Sequence, residues 1–538
     1  MDSAYYPKAQ FQSLRKSLSG VIEPLNVFKA LSHELDESYL QLLESSEAGQ
    51  NGEQQSLLLL SHCLKISARR FNVSIEALNE NGKAALKLLS PALEFVTNSN
   101  DTLIELEYPD QRVLADEAQR LSRKTTLDAM RQVLKVLSNE QSELADQLVL
   151  AGVAGFDIME SIESLPEVNE QAHDFPDYLF LLADQQLVIN QQTFRNELRS
   201  LVFKGDDESE RLDATRQSMH RLISIIEKYQ EAEQQPLVRT NADQAFIQTV
   251  TVMPDEETFG QQVEEVQKAI RKGRVFQTVI SRDFCVDCPD PLLAYAHLRQ
   301  QNPSPYQFYL KLGEFVLFGA SPESSLRYEH QSRRIQLMPI AGTRGRGRDI
   351  HGNIDHEQDA RLEVELKLDE KELAEHMMLV DLARNDLARI GTPGSRRVTE
   401  LMGIYRYSAV MHMVSRVESE LAPELDIFDA CAACFHMGTL TGAPKVEAMI
   451  LIRELEQRRR GTYGGAVGYF NGAGDMDSAI VIRSALVRDG IARVSAGAGV
   501  VADSTAEMET QETINKAASV LNAIASAQAE IEMGACHG

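Results

Sequence analysis

Beyond residue 240, short runs of β-branched and aromatic residues alternate with segments whose apolar positions recur at helical spacing. The pattern predicts strands over 275–281, 306–312, 315–319, 334–340, 408–417, 464–469, 478–487 and 491–496. It predicts helices over 258–271, 291–300, 370–389, 426–435, 443–458 and 505–527. Short loops such as Arg488-Asp489-Gly490 join neighbouring strands as hairpins. Hairpin-linked strands build antiparallel sheets rather than a doubly wound parallel one, so the class is α+β. The first 240 residues read differently. They are acidic, Gln-rich and mostly helix-like, and 184–220 holds many strong helix formers with few glycines or prolines. Residues 229–243 (YQEAEQQPLVRTNAD) are polar and include Pro236, which places a boundary near 240 that need not separate independent units.

Bulk properties narrow the function. A chain of 538 residues exceeds one core and suggests two to four domains. A net charge of −26 argues against broad contact with nucleic acid or an anionic membrane, since both need a basic footprint. No apolar run approaches the roughly 20 residues that span a bilayer, and the start MDSAYYPKAQFQSLRK has no apolar signal core, so a cytoplasmic location is expected. The six cysteines include two CxxC pairs, Cys285/Cys288 and Cys431/Cys434, too far apart in sequence for a compact zinc site. Cys431 and Cys434 sit among small apolar residues in IFDACAACFHM and read as buried thiols.

Several segments could carry chemistry. Pro339-Ile340-Ala341-Gly342-Thr343-Arg344-Gly345-Arg346-Gly347-Arg348 crowds arginines and glycines together, which suits an anion or a basic surface turn. Helix 370–389 has an apolar stripe at Leu373, Met377, Val380 and Leu387, with Glu372, Glu375 and His376 pointing elsewhere. In the last helix Ser504-Thr505-Ala506-Glu507 fits a capping box. Ile514, Ala518, Leu521 and Ala525 form its apolar stripe, and Glu509, Glu512 and Lys516 lie opposite. These charges read either as an exposed i, i+4 pair or as a carboxylate and ammonium offered to an anion through a metal; Mg²⁺ takes one or two protein carboxylates. Gly497-Ala498-Gly499 precedes that helix with a spacing that suits backbone amides on a carboxylate. The turn Gly438-Thr439-Leu440-Thr441-Gly442-Ala443-Pro444-Lys445 opens another helix in a form that suits an anion.

Taken together, FGASPESSL, PIAGTRGRGR, KELAEHMMLVDLARNDLARIGTPGS, MGTLTGAPKVEAM, RRRGTYGGAVGY, AIVIRSALV, SAGAGVVADS and ETINKA resemble the chorismate-utilising enzymes, over essentially residues 20–528. That family includes anthranilate, aminodeoxychorismate, isochorismate and salicylate synthases. The resemblance implies a layered α/β/β/α sandwich of largely antiparallel sheets. It implies an N-terminal regulatory part over 1–240, a chorismate-binding catalytic domain over 241–528 and a tail over 529–538. It implies that Glu375 and Glu512 bind Mg²⁺, and that Tyr463, Arg483 and the amides of Gly497, Ala498 and Gly499 hold the enolpyruvyl carboxylate. Gly342 and Thr343 match further substrate contacts, and Thr439 and Lys516 further catalytic positions. Glu323 matches the acid that protonates the departing 4-hydroxyl, and His412 a group implicated in the later elimination; imidazole suits proton removal near neutral pH.

Two positions choose among members. Relatives that add water carry a lysine where this chain has Gln277, and aminodeoxychorismate synthases carry a nucleophilic lysine where it has Ala341. Both point to direct amination at C2 by ammonia, as in the large subunit of anthranilate synthase. An aminodeoxyisochorismate synthase and a non-catalytic binder of chorismate or tryptophan are the alternatives. Leu42-Leu43-Glu44-Ser45 matches one wall of the family's tryptophan feedback pocket, and Asn302, Pro303, Pro305 and Tyr306 the other. Gln307 stands where relatives often have methionine, and Gly345 where many have proline. No glutamine amidotransferase segment follows the chorismate part, so ammonia from glutamine is expected from a separate subunit, in a heterotetramer of two large and two small chains.

Overall fold

The computed structural model describes residues 10–537 apart from 36, 46–54, 113–122, 139–143, 169–173, 231–243, 350–352 and 408–409. The boundary expected near residue 240 lies outside the described residues.

Every strand belongs to one antiparallel ladder that folds over on itself. In one direction Tyr306–Leu312 pairs with Phe315–Ser321, then Ser484–Arg488, Ile491–Val500 and Gln277–Asp287. In the other it pairs with Tyr39–Glu44, then Gln55–Arg69, Tyr178–Asn190 and Val149–Ala154. The ladder returns through Ala466–Asn471, Met476–Ile480, Ser324–Glu329 and Arg334–Leu337 to Val410–Glu420. The two leaves enclose an apolar layer that includes Val153, Phe308, Leu310, Leu317, Val467 and Ala479. Helices Pro24–Leu35, Glu208–Tyr229, Pro291–Gln301 and Ala506–His537 cover one outer face, and Glu80–Leu89, Leu127–Leu137, Glu370–Ile390 and Ile427–Cys434 the other. The order is α/β/β/α, as the resemblance implied.

The N-terminal 240 residues correct the sequence reading. They are rich in strands, and 184–220 is not one helix. Asp184, Gln185 and Gln186 sit in the strand Tyr178–Asn190, Asn196–Phe203 forms the next strand, and the helix begins only at Glu208. The polar residues are buried because each finds partners. Asp184 accepts from Asn79 and Asn81, Gln185 donates to Ser200, and Gln186 donates to the Gln147 carbonyl. Helix propensity in isolation was overridden by cross-strand hydrogen bonds. Strands Tyr39–Glu44 and Val149–Ala154 pair with catalytic-part strands, so the two parts share the ladder.

Further on, many elements fall near where expected, and the differences are informative: strand Ser324–Glu329 was not foreseen, and the strand expected over 334–340 breaks into Arg334–Leu337 and Ile340–Gly345. Strand Arg397–Arg406 and helix His356–Leu368 were not foreseen. The strand expected over 478–487 breaks into Met476–Ile480 and Ser484–Arg488, with Arg483 between them at φ +50°. The last helix continues to His537, and its N-cap is Thr505, which accepts from Met508 N. Ser504, the cap that the expected box called for, instead accepts from Val501 N, so the cap lies one residue later than expected. Cys63, Cys288, Cys431 and Cys434 are buried free thiols, and burial raises the pKa of each.

Candidate active site

Helix Glu370–Ile390 starts on Asp369, whose carboxylate accepts from the amides of Lys371 and Glu372. Its buried face runs through His376, Leu379, Val380, Ala383 and Leu387. The expected stripe is therefore rotated. Met377 is 45% exposed, whereas His376 is fully buried, because both its ring nitrogens find hydrogen-bond partners. The rotation carries Glu375 towards Gln277, which donates from Nε2 to Glu375 Oε1 at 2.9 Å. Burial raises the Glu375 pKa, Glu372 and Glu512 raise it further, and Gln277 and Lys516 oppose.

Glu512 comes from the last helix and pairs with Lys516 at 2.5 Å. Lys516 Nζ also donates to Gly497 O at 2.9 Å, and the Lys516 carbonyl accepts from Arg483 at 2.7 Å. Gly497, Ala498 and Gly499 lie inside the strand Ile491–Val500, not in a loop after it, and pair with residues 279–281. The two glycines also leave space. A Cβ on Gly499 would lie 2.5 Å from Gln277 Nε2, and one on Gly497 would lie 2.6 Å from the Tyr463 hydroxyl. Ala498 turns the other way, into the core beside Val266 and Ile280.

Arg483 is half-buried, and desolvation lowers its pKa. It faces His412, whose pKa falls to about 4, chiefly by burial and then by the Arg483 charge. His412 Nδ1 lies 2.8 Å from Thr343 Oγ1 across paired strands. Glu323 sits in the turn between Phe315–Ser321 and Ser324–Glu329. Burial pushes its carboxyl up to about 8, against the pull of Thr439, the Ile340 backbone and Lys516. Tyr463 is pushed up to about 12 by burial.

The expected residues thus form one connected group. Gln277, Glu375 and Gly499 meet at one end, Glu512, Lys516, Gly497, Tyr463 and Arg483 in the middle, and His412, Thr343, Glu323 and Thr439 at the other. A neutral carboxylic acid and a neutral imidazole, both buried, can donate and accept protons respectively near neutral pH.

The arginine-rich loop is corrected. Ile340–Gly345 is a strand, and its arginines are occupied within the chain: Arg344 pairs with Glu372 and Asp369, and Arg346 with Asp359. The glycine that matters is Gly342, at φ +87°, where a Cβ would lie 3.0 Å from Leu366. In the Gly438–Lys445 turn, Lys445 is held by Asp386 and the Cys434 carbonyl, and its helix spans Lys445–Glu456.

The donors suit a hard divalent cation. Glu372 and Glu512 both raise the Glu375 pKa, Glu512 also raises that of Glu509, and Glu509 Oε2 is buried without a hydrogen-bond partner. Such crowding is relieved by a cation with oxygen ligands. Among the described residues no three His, Cys, Asp or Glu side chains converge as a ready-made ligand set. Glu372, which pairs with Arg344, and Glu509 add to the negative charge around Glu375 and Glu512, which the sequence reading did not anticipate. Their i, i+3 spacing from Glu375 and Glu512 was the available signal.

A second feature is a cavity of about 420 Å³ between the two leaves. Glu44, Ser45, Pro305, Tyr306 and Gln307 line it, whereas Asn302 and Pro303 do not. Asn302 instead closes the helix Pro291–Gln301. The Glu44 carboxylate accepts from Tyr295 at 2.7 Å and from Arg299 at 2.9 and 3.0 Å. Gln307 lies opposite Glu44 in the ladder and donates to the Arg299 carbonyl at 3.2 Å. Pro322, Ile340 and Val414 form the far wall, next to Glu323 and within two residues of His412.

Residues 82–522 match the family described as chorismate binding enzyme. The chain is 45% identical to anthranilate synthase component 1 of Escherichia coli (strain K12), covering 93% of this chain and 94% of that protein. It is 45% identical to the pyocyanine-specific anthranilate synthase component 1 of Pseudomonas aeruginosa, over 91% and 90% of the two chains. The crystal structure of anthranilate synthase component I from Streptococcus pneumoniae superimposes with a TM-score of 0.66 at 30% identity, covering 87% and 92%. The menaquinone-specific isochorismate synthase of Escherichia coli shares the fold, with a TM-score of 0.65 at 18% identity and coverage of 96% and 95%.

Proposed function

The chain belongs to the chorismate-binding enzyme family, and on that premise we propose that it is the large subunit of an anthranilate synthase, aminating chorismate at C2 and eliminating pyruvate to leave anthranilate. The observation that carries the mechanism is the pairing of opposite protonation states in one group of residues: Glu323 held protonated up to about 8 and His412 held neutral down to about 4.

In this reading Arg483 and Tyr463 hold the enolpyruvyl carboxylate. A substrate carboxylate would add a counter-charge to the half-buried Arg483, whose pKa desolvation lowers despite Tyr463 and Glu512. Glu375 and Glu512 would hold Mg²⁺. When bound, the ion supplies Lewis-acid stabilisation and a template for the ring carboxylate. Glu323 donates its proton to the departing 4-hydroxyl as ammonia attacks C2. Gln277 is an amide, so it has no basic nitrogen with which to activate water; ammonia arrives ready to attack. His412 Nδ1–H then donates to Thr343 Oγ1, which frees Nε2 to take the C2 proton as pyruvate leaves and the ring aromatises.

Ammonia would reach the site from a glutamine amidotransferase subunit, in keeping with the relatives' designation as component 1. The cavity beside Ser45 and Tyr306 would take tryptophan as feedback inhibitor, with the first 240 residues as the regulatory part. No helix among the described residues is long and apolar enough to cross a membrane, and a cytoplasmic setting fits a biosynthetic enzyme. The test is conversion of chorismate, with Mg²⁺ and an ammonium salt, to equal amounts of anthranilate and pyruvate.

A further inference from the structure

The helix that carries Glu375 is tied to the catalytic strands by His376. Its side chain is fully buried, yet both ring nitrogens are satisfied. Nδ1 lies 3.2 Å from the Ala341 carbonyl, and Nε2 lies 2.6 Å from Ser415 Oγ. A carbonyl oxygen can only accept, so Nδ1 carries the hydrogen, and Nε2 accepts from the Ser415 hydroxyl. Ser415 Oγ in turn accepts from Met402 N at 2.9 Å, which leaves its own hydrogen for His376. The partners fix one tautomer, and the chain of hydrogen bonds runs in one direction: Met402, Ser415, His376, Ala341.

Its last member is the key one. Strand Ile340–Gly345 pairs Ile340 with Val414 and Thr343 with His412, so it carries one extra residue between those pairs. Ala341 and Gly342 form that bulge, with Gly342 at φ +87°. The bulge decides which residue stands opposite His412. With it in place, Thr343 Oγ1 meets His412 Nδ1 at 2.8 Å. Without it, the pleat would turn a different side chain towards the histidine.

We infer that His376 is a positioning residue for the elimination step: by holding the Ala341 carbonyl it fixes the bulge that sets Thr343 against His412. The inference rests on the reading of His412 as the base. Arg344 clamps the same strand from its exposed side through Glu372 at 2.9 Å and Asp369 at 2.7 Å, so the strand stays docked when His376 is replaced. The effect should then fall on the step that needs His412 oriented more than on amination.

The experiment is rapid-quench chromatography of chorismate turnover with ammonium and Mg²⁺, separating aminated intermediate from anthranilate, beside a thermal melt of each variant. The wild type should release anthranilate without accumulating the intermediate. His376→Leu should slow elimination about ten-fold and amination no more than about three-fold, so intermediate accumulates. His376→Asn should restore the partition, because its amide N–H can replace the Nδ1–H bond to Ala341. Ser415→Ala keeps that bond and loses the other, and should shift the partition in the same direction by a smaller factor. Equal slowing of both steps in His376→Leu, or failure of His376→Asn to restore the partition, overturns the inference. If His376→Leu does not fold, an unchanged partition in Ser415→Ala overturns it instead. A wild type that forms no anthranilate sinks the functional reading, and this inference with it.

Discussion

Gln277 Nε2 donates to Glu375 Oε1 at 2.9 Å, and this bond determines what the glutamine has left to offer: Gln277 Oε1 is buried with no hydrogen-bond partner. The amide is a support for the carboxylate and not a base. Gln277 holds the Glu375 pKa down against burial and against Glu372 and Glu512. Gln277→Leu should therefore weaken Mg²⁺ binding about ten-fold or more, the usual cost of losing a hydrogen bond to a ligand carboxylate. Glu375→Gln and Glu512→Gln should each cost at least about 10²-fold in rate, since each removes a ligand charge. Calorimetric Mg²⁺ titration checks the first and initial rates the second. Unchanged Mg²⁺ affinity in Gln277→Leu would show that the bond does not serve the metal.

Glu323 sets the alkaline limb of the pH profile. Burial raises its folded-state pKa to about 8, so the acid form is present below that value and is lost as pH rises through it. Rate per unit of free NH₃ should therefore fall above about pH 8, even though NH₃ itself becomes more abundant. Glu323→Gln should be slower by about 10²-fold or more and lack that limb. The measurement is kcat/KM for chorismate at fixed free NH₃ from pH 6 to pH 10. A limb that survives in Glu323→Gln belongs to another group.

His412 separates the two half-reactions. His412→Met should still consume chorismate with ammonia but eliminate pyruvate slowly, so the aminated intermediate builds up. Chromatography of the quenched mixture reads this directly. Loss of both products would place His412 earlier in the reaction or in the structure alone, and normal anthranilate release would remove it as the base.

Ser45 and Gln307 both line the cavity, but they differ in what a substitution would do. Ser45→Phe fills space between the leaves and should raise the tryptophan concentration for half-inhibition by more than about ten-fold, a coupling within the usual range for linked sites. Gln307 is committed to the Arg299 carbonyl, beside the Glu44–Arg299 pair, so Gln307→Met should shift inhibition by less than about three-fold. Tryptophan titrations of the three proteins decide this. Equal inhibition of wild type and Ser45→Phe would remove the cavity from the regulatory account.

The sequence was most legible where local pattern and tertiary demand agree. The strand Tyr306–Leu312 is rich in aromatic and apolar residues and bounded by Pro305 and Gly313, and it stands within the bounds its pattern set. Legibility failed where partners distant in the chain overrode a local preference. Asp184, Gln185 and Gln186 look helical alone, yet Asn79, Ser200 and the Gln147 carbonyl hold them in a strand. Met377 was placed in the apolar stripe and His376 outside it, because nothing nearby in sequence announces Ala341 and Ser415 as hydrogen-bond partners. Arg344 looked available for an anion until Asp369 and Glu372 came into reach. For Gly497 and Gly499 the sequence suggested amide donors but gave no sign that a Cβ there would run into Tyr463 and Gln277.

The most direct test of the central claim follows chorismate with the purified chain, Mg²⁺ and an ammonium salt at alkaline pH, measuring anthranilate fluorescence and pyruvate together. The account predicts the two products in equal amounts, no turnover with glutamine in place of ammonium, and a further gain of glutamine-driven turnover only when an amidotransferase subunit is added. Consumption of chorismate without pyruvate, or an isochorismate product from water, would contradict it.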